Sequence, residues 1–273
     1  VSVLYCISNT CYPAYILTDK QINKMSSVLF VEPIAFGSNS GIKDNAFITA
    51  TTVSASKAQS DQTIAFQLLH EMQDKLRREN IDTCLIHSCC EPRGKYTYAD
   101  KGDGIFPNNY ISFHNFTDSK GKIVRRVVIL YPMSPHRQGE LPTRQVERKL
   151  VAAAESGAID LVDLRGFETE RKYLEGTGAI NFSYNGAFAY MSRSTRTNDT
   201  VFDIVCNEEN LNIPCQNRFV FRSALPGKNG HENVIYHTNV IGWCGKGICA
   251  WGLDYMQFDS EEEKLAFYHH LRD

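Results

Sequence analysis

A long-period repeat is the strongest constraint on this chain. Asn45, Asn109, Gly178 and Asn239 each open an apolar stretch, at successive spacings of 64, 69 and 61 residues. Periods of this size belong to supersecondary units that stack on one another, because one such unit cannot bury its own apolar face. Within a period the pattern reads strand, strand, helix, strand. Tyr110–His114 and Val124–Tyr131 alternate as a hairpin, Thr143–Glu155 carries a helical period with Thr143 as N-cap, and Ile159–Leu164 closes the unit. The next unit repeats this with Ala179–Phe182 and Ala187–Met191 joined through Asn185–Gly186, a helix at Asp199–Glu208 and a strand at Phe219–Ser223.

The flanking units are less complete. Ahead of the two full units, Val28–Phe36 reads as a strand, Asp61–Glu79 as a helix with Ile64, Leu68, Leu69, Met72 and Leu76 on its inner face, and Thr83–His87 as a strand. The last unit has strands at Val234–Trp243 and Ile248–Tyr255 around Gly245–Gly247, then a helix capped by Ser260 with Glu261, Glu262 and Glu263 in its first turn. No closing strand follows. Residues 1–26 have no hydrophobic period and read as an appendage, so the expectation is one α/β domain over residues 27–273, cut short at its C-terminus.

Composition narrows the function classes. A formal net charge of −2 gives no electrostatic grip on nucleic acid or an anionic membrane, and no apolar run approaches the roughly 20 residues of a membrane span. The nine cysteines are odd in number and form no CxxC pair, which argues for reduced thiols in a cytoplasmic protein and against a structural zinc site.

Three short motifs stand where units two, three and four begin: Asp103-Gly-Ile-Phe106-Pro-Asn-Asn109, Leu174-Glu175-Gly-Thr-Gly178 and Tyr236-His237-Thr-Asn239. Taken singly, each has a plain explanation as a turn residue or a core histidine. Taken together, one per unit at matching positions, they supply a carboxylate, an imidazole and amides to whatever point the units surround. That is an acid–base set suited to addition at a planar, nitrogen-rich carbon.

At these residues the chain resembles the pentein superfamily of guanidine-modifying enzymes, which includes arginine deiminases, dimethylarginine hydrolases and amidinotransferases. The likeness is greatest to an arginine-deiminase-related branch that hydrolyses citrulline. The segments that carry it are Phe30–Gly37, Ile105–His114, Leu130–Met133, Leu174–Gly178 and Ile235–Val240. The resemblance implies a pentein fold, an α/β propeller of five ββαβ units, of which about four are present. It implies hydrolysis of a C–N bond through a covalent cysteine intermediate, with no metal and no organic cofactor, on a small amino-acid substrate.

By the same resemblance His237 is the general acid/base and Glu175 its carboxylate partner. Asp103 takes the substrate's α-ammonium, Phe106 its aliphatic stem, and Asn109 and Asn239 its ureido group; of Arg193 and Arg196, which both follow the Ala187–Met191 strand, Arg196 is favoured for its α-carboxylate, although the family's Ser-x-Arg-Thr spacing fits it only with a shift of two. Arg137 is a further basic residue shared with the family. The deiminases place aspartates where this chain has Asn109 and Asn239; amides suit a neutral ureido group, whereas carboxylates suit a guanidinium. None of the cysteines, Cys244, Cys249 and the Cys89-Cys90 pair included, stands at the family's nucleophile position, which leaves the chain by itself inactive. The alternatives are arginine deiminase or amidinotransferase activity, and a non-catalytic pentein relative that binds a ligand or dimerises. A ring missing a unit also exposes strand edges, which predicts homo-oligomers.

Overall fold

The computed structural model describes residues 27–34, 36, 55–86, 103–138, 140, 144–227 and 230–272. Asn45, Cys89, Cys90, Thr143 and residues 1–26 lie outside this set. Each of the two middle units has the expected form. In one, β3 (Ile111–Thr117) and β4 (Ile123–Leu130) pair antiparallel, and α2 (Arg144–Glu155) crosses over to β5 (Asp160–Asp163), which lies parallel to β4. In the other, β6 (Ile180–Phe182) and β7 (Ala189–Arg193) pair antiparallel, and α4 (Asp199–Cys206) leads to β8 (Arg218–Pro226), parallel to β7. Asn198 caps α4 by accepting a hydrogen bond from the Val201 amide at 3.2 Å.

Among the described residues the flanking units are partial. β1 (Ser27–Val31) and β2 (Asp82–Ile86) pair in parallel around α1 (Ala55–Arg78). At the other end β10 (Gly242–Gly245) and β11 (Ile248–Trp251) form a hairpin that precedes α6 (Glu261–His270). Two short strands, β9 (Glu232–Val234) and β12 (Met256–Gln257), extend the sheet of β8. Four sheets result, one per unit, and none closes on itself among the described residues. No described helix is long and apolar enough to cross a membrane.

Strand alternation explains where the core sits. Successive side chains on a strand point to opposite faces. On β4, Val127 and Ile129 enter one apolar cluster while Val128 and Leu130 enter another. On β7, Ala189 and Met191 join the first cluster and Tyr190 a third. The first cluster is therefore the shared core between the two middle units, filled by Val201, Phe202, Val205 and Cys206 from α4. The other two clusters lie on the outer faces, under Leu150 of α2 and Phe267 of α6. Strands buried on both sides read as continuous apolar runs, as Val127–Tyr131 does.

Two sequence expectations are corrected. The inner face of α1 does not carry Ile64, Leu68 and Met72, which are half exposed. It carries Gln62, Phe66, Leu69, Gln73 and Leu76, at helical spacing. The glutamines are tolerated there because their amides are used: Gln62 donates to the Ile34 carbonyl at 2.5 Å and Gln73 to Thr83 Oγ1 at 3.4 Å. The second correction concerns Val234–Trp243, which is not one strand. It breaks after β9 into a single helical turn, α5 (Thr238–Ile241), before β10 begins.

That turn belongs to a series. Pro107–Asn109 forms one 3-10 turn ahead of β3, and α3 (Gly176–Ala179) forms one turn ahead of β6. Each middle or late unit thus opens with a single helical turn, and α3 packs against both of the others. The residues that immediately precede the three turns are Phe106, Glu175 and His237. These are equivalent positions in three successive units, brought together by the contact between the turns.

Candidate active site

Glycine allows the turns to touch. Gly176 has φ +43°, in the left-handed region, and a Cβ there would stand 2.3 Å from the Asn108 carbonyl oxygen. A Cβ at Gly178 would stand 2.2 Å from Asn109 Oδ1 and 3.1 Å from His237 Nδ1. Asn109 and His237 therefore both pack against Gly178. Thr238 locks the third turn in place by accepting from the Ser192 amide at 2.8 Å and donating to the Ala179 carbonyl.

The carboxylate of Glu175 is the hub. One oxygen, Oε2, accepts from Arg137 Nη1 at 2.9 Å and from His237 Nε2 at 2.7 Å. The other, Oε1, accepts from Arg196 Nη1 at 2.8 Å, from the Ser134 amide at 3.3 Å and from the Ser134 hydroxyl. Arg137 and Arg196 both follow the second strand of their unit, β4 and β7, so the repeat that brings the turns together also aims two guanidiniums at one carboxylate. Arg137 is held in turn by a two-point ion pair to Glu140, at 2.8 and 2.7 Å. All six side chains are buried. Two carboxylates and two guanidiniums balance, which satisfies the rule that charges leave water only in hydrogen-bonded pairs.

This environment decides the protonation states. Burial by itself would raise the Glu175 pKa, but the His237 hydrogen bond and the charges of Arg137 and Arg196 hold it well below the ordinary carboxylate value. Burial also lowers the His237 pKa beneath 6.5; Glu175 pulls it back up, the two arginines push it down, and the balance stays low. At neutral pH His237 is a neutral imidazole beside an ionised carboxylate. A carboxylate only accepts, so the imidazole proton sits on Nε2, directed at Glu175. The lone pair is then on Nδ1, on the side of Gly178 and Asn109. Such a histidine takes a proton at Nδ1 and hands it back, while Glu175 steadies the imidazolium in between.

Asn109 completes the centre in an informative way. It is 5% exposed, and its Oδ1 has no hydrogen-bond partner among the described residues. A buried acceptor left open costs free energy unless something fills it. Like His237 Nδ1, it lies close against Gly178.

Of the expected site residues, the fold brings together Glu175, His237 and Asn109. Phe106 is 47% exposed at the position equivalent to Glu175, and Asp103 is half buried, its carbonyl accepting from the Phe106 amide at 3.0 Å. Arg196 is 1% exposed and turns its guanidinium onto Glu175, with its Cζ 5.4 Å from the Tyr236 ring centroid. Asn239 is exposed in the second position of α5, whereas Asn109 holds the third position of its own turn. The repeat pairs Asn109 with Gly178, and Asn239 is one step out of register with both. Sequence reasoning missed Ser134 and Glu140, although Ser134, Arg137 and Glu140 recur at steps of three after β4. Among the described residues no group of three metal-ligating side chains forms.

Comparison with known proteins places the centre in context. The family model for eukaryotic N,N-dimethylarginine dimethylhydrolase matches residues 32–271. The chain belongs to that family. No curated protein matches it. Among solved structures, the product-bound N-terminal domain of ArgZ, an arginine dihydrolase from the ornithine–ammonia cycle in cyanobacteria, superposes with a TM-score of 0.54 at 13% identity, covering 90% of this chain and 71% of that one. Apo ArgZ gives 0.53 at 13% identity over 90% of this chain and 30% of that one. The complex of AgrE with ornithine and NAD+ gives 0.53 at 14% identity over 89% and 28%. At these identities the likeness is one of fold. This dimethylarginine dimethylhydrolase relative has the α/β pentein fold, and it spans about 30% of the length of full ArgZ.

Proposed function

We propose that the Glu175–His237 centre serves hydrolysis of a C–N bond in a guanidino or ureido amino acid, with a neutral, citrulline-like ureido group preferred. Membership in a hydrolase family of the pentein superfamily supports the reaction class. The preference rests on one observation: the two buried carboxylates of the cluster, Glu175 and Glu140, are already matched. Glu175 carries two guanidiniums and an imidazole, and Glu140 carries Arg137 on two points. Where a charged substrate would need a free carboxylate, Asn109 offers an uncharged amide with an open acceptor. A ureido N–H satisfies that acceptor without bringing in a positive charge.

In this reading His237 Nδ1 moves the proton between attacking and leaving groups, and Glu175 holds the ring. Arg196 and Arg137 keep Glu175 ionised, a role we assign to Arg196 in place of the substrate's α-carboxylate. Phe106 packs on the substrate stem and Asp103 takes the α-ammonium. The attacking cysteine is left unassigned. Cys206 is in the shared core and Cys244 on the β10–β11 hairpin, their thiols pushed up by burial to about 12 and about 11, so neither is a ready thiolate.

The test is kcat/KM on the whole protein for citrulline, arginine and dimethylated arginine. Bringing a guanidinium against Asn109 without a counter-charge costs about 1–3 kcal/mol, or about one to two decades. Citrulline should lead by that margin, and Asn109→Asp should erode it. Equal or better use of arginine by the unmutated protein overturns the preference.

A further inference from the structure

The hairpin that follows the third turn carries two cysteines opposite each other. In the β10–β11 register Gly245 pairs with Ile248, Cys244 with Cys249 and Trp243 with Ala250. Only Lys246 and Gly247 separate the closing pair, so Gly245 and Ile248 must exchange both of their backbone hydrogen bonds. Antiparallel pairs alternate, which makes Cys244 and Cys249 a non-hydrogen-bonded pair. In such pairs the Cα atoms are about 4.5 Å apart and the side chains lie on one face. A disulfide spans Cα separations of about 4.4–6.8 Å, so this position accepts one at the tight end of the range.

The surroundings agree with the register. Both thiols face Tyr190: the Cys244 thiol hydrogen-bonds with it, and Cys249 is near enough to act on the same phenol. Burial, and after it the neighbouring Cys249, push the Cys244 thiol up to about 11. Both residues are half buried on the outer face, so a small reagent reaches them.

We propose that Cys244 and Cys249 are a redox site that forms a reversible cross-strand disulfide, with a low-molecular-weight disulfide of the glutathione class as oxidant. One cysteine loses its proton and its thiolate attacks the oxidant's S–S bond, giving a mixed disulfide and one released thiol. The second cysteine then attacks the protein-side sulfur, closing the Cys244–Cys249 bond and releasing the second thiol. Two protein thiols are oxidised and one small disulfide is reduced to two thiols.

The experiment treats the unmutated chain with oxidised glutathione, blocks remaining thiols with iodoacetamide and maps the peptides by mass spectrometry. The expected result is a Cys244–Cys249 linked peptide, lighter by two hydrogens, as the dominant form of both cysteines, returning to two alkylated thiols after dithiothreitol. Cys244→Ser should stop the reaction at a glutathione adduct on Cys249. Alkylation of both cysteines under oxidising conditions, or a lasting glutathione adduct on either in the unmutated chain, overturns the proposal without any variant.

Discussion

Beneath the surface, Glu175 meets two guanidiniums, an imidazole and a hydroxyl, while behind β7 and β8 the rings of Tyr190, Phe219, Phe221, Trp251 and Phe267 pack edge to face. Both regions are buried, and both draw on the unit that holds β7, which carries Tyr190 and leads to Arg196. They differ in how they tolerate loss. Ring packing is the sum of many weak contacts, and a volume-conserving exchange forfeits few of them. In the charged centre one carboxylate accepts five hydrogen bonds from four residues, so removing it weakens all of these contacts at once. The fold uses the first kind of region for stability and the second to hold a histidine in one protonation state.

The largest effect is expected from Glu175→Gln. The shape is kept and the charge is lost, which takes from Arg137 and Arg196 the carboxylate they share. Denaturant unfolding should show a loss of about 3–5 kcal/mol. The pH dependence should change with it. The folded pKa values of Glu175 and His237 are both lowered, so in each case the unfolded chain takes up protons first. Their stabilisation is full above the unfolded values, near 6.5 for His237 and 4.5 for Glu175, and is lost as pH falls. The variant should flatten that acid limb. A loss below about 1 kcal/mol would show that the centre is no more brittle than the aromatic side.

Phe267→Leu is the counterpart. Phe267 is 0% exposed and touches Tyr190, Phe219, Phe221 and Trp251. The expected loss is smaller, about 1–2 kcal/mol, with the acid limb and the titration of His237 unchanged. A shift in the His237 titration would mean that the two regions are coupled through β7, and that the comparison drawn between them fails.

How much of this was legible in the sequence follows the same division. The hairpin of β3 and β4, the Asn185–Gly186 turn and the Ser260 cap were readable because their signals are local: alternation, a turn dipeptide and a capping hydroxyl. The face of α1 was misread because Gln62 and Gln73 are polar by type yet buried through bonds to distant backbone and to Thr83, which no period reveals. The turns at Gly176–Ala179 and Thr238–Ile241 are too short to leave a helical period, so the first read as a loop entering a strand and the second as strand. From that came the one-step slip that equated Asn239 with Asn109. Glu175 and His237 were visible as odd residues at matching points of a repeat, whereas Ser134 and Glu140 owe their place to a turn after β4 that only the fold brings beneath Glu175.

The central claim concerns a proton. Long-range proton–nitrogen correlation spectra of the histidine rings, recorded through a pH titration, report the tautomer and the pKa of His237 together. The account predicts a neutral ring at neutral pH with its proton on Nε2 and a bare Nδ1, titrating below 6.5, and loss of that tautomer preference in Glu175→Gln. A proton found on Nδ1, or a titration above 6.5 in the unmutated protein, would contradict it.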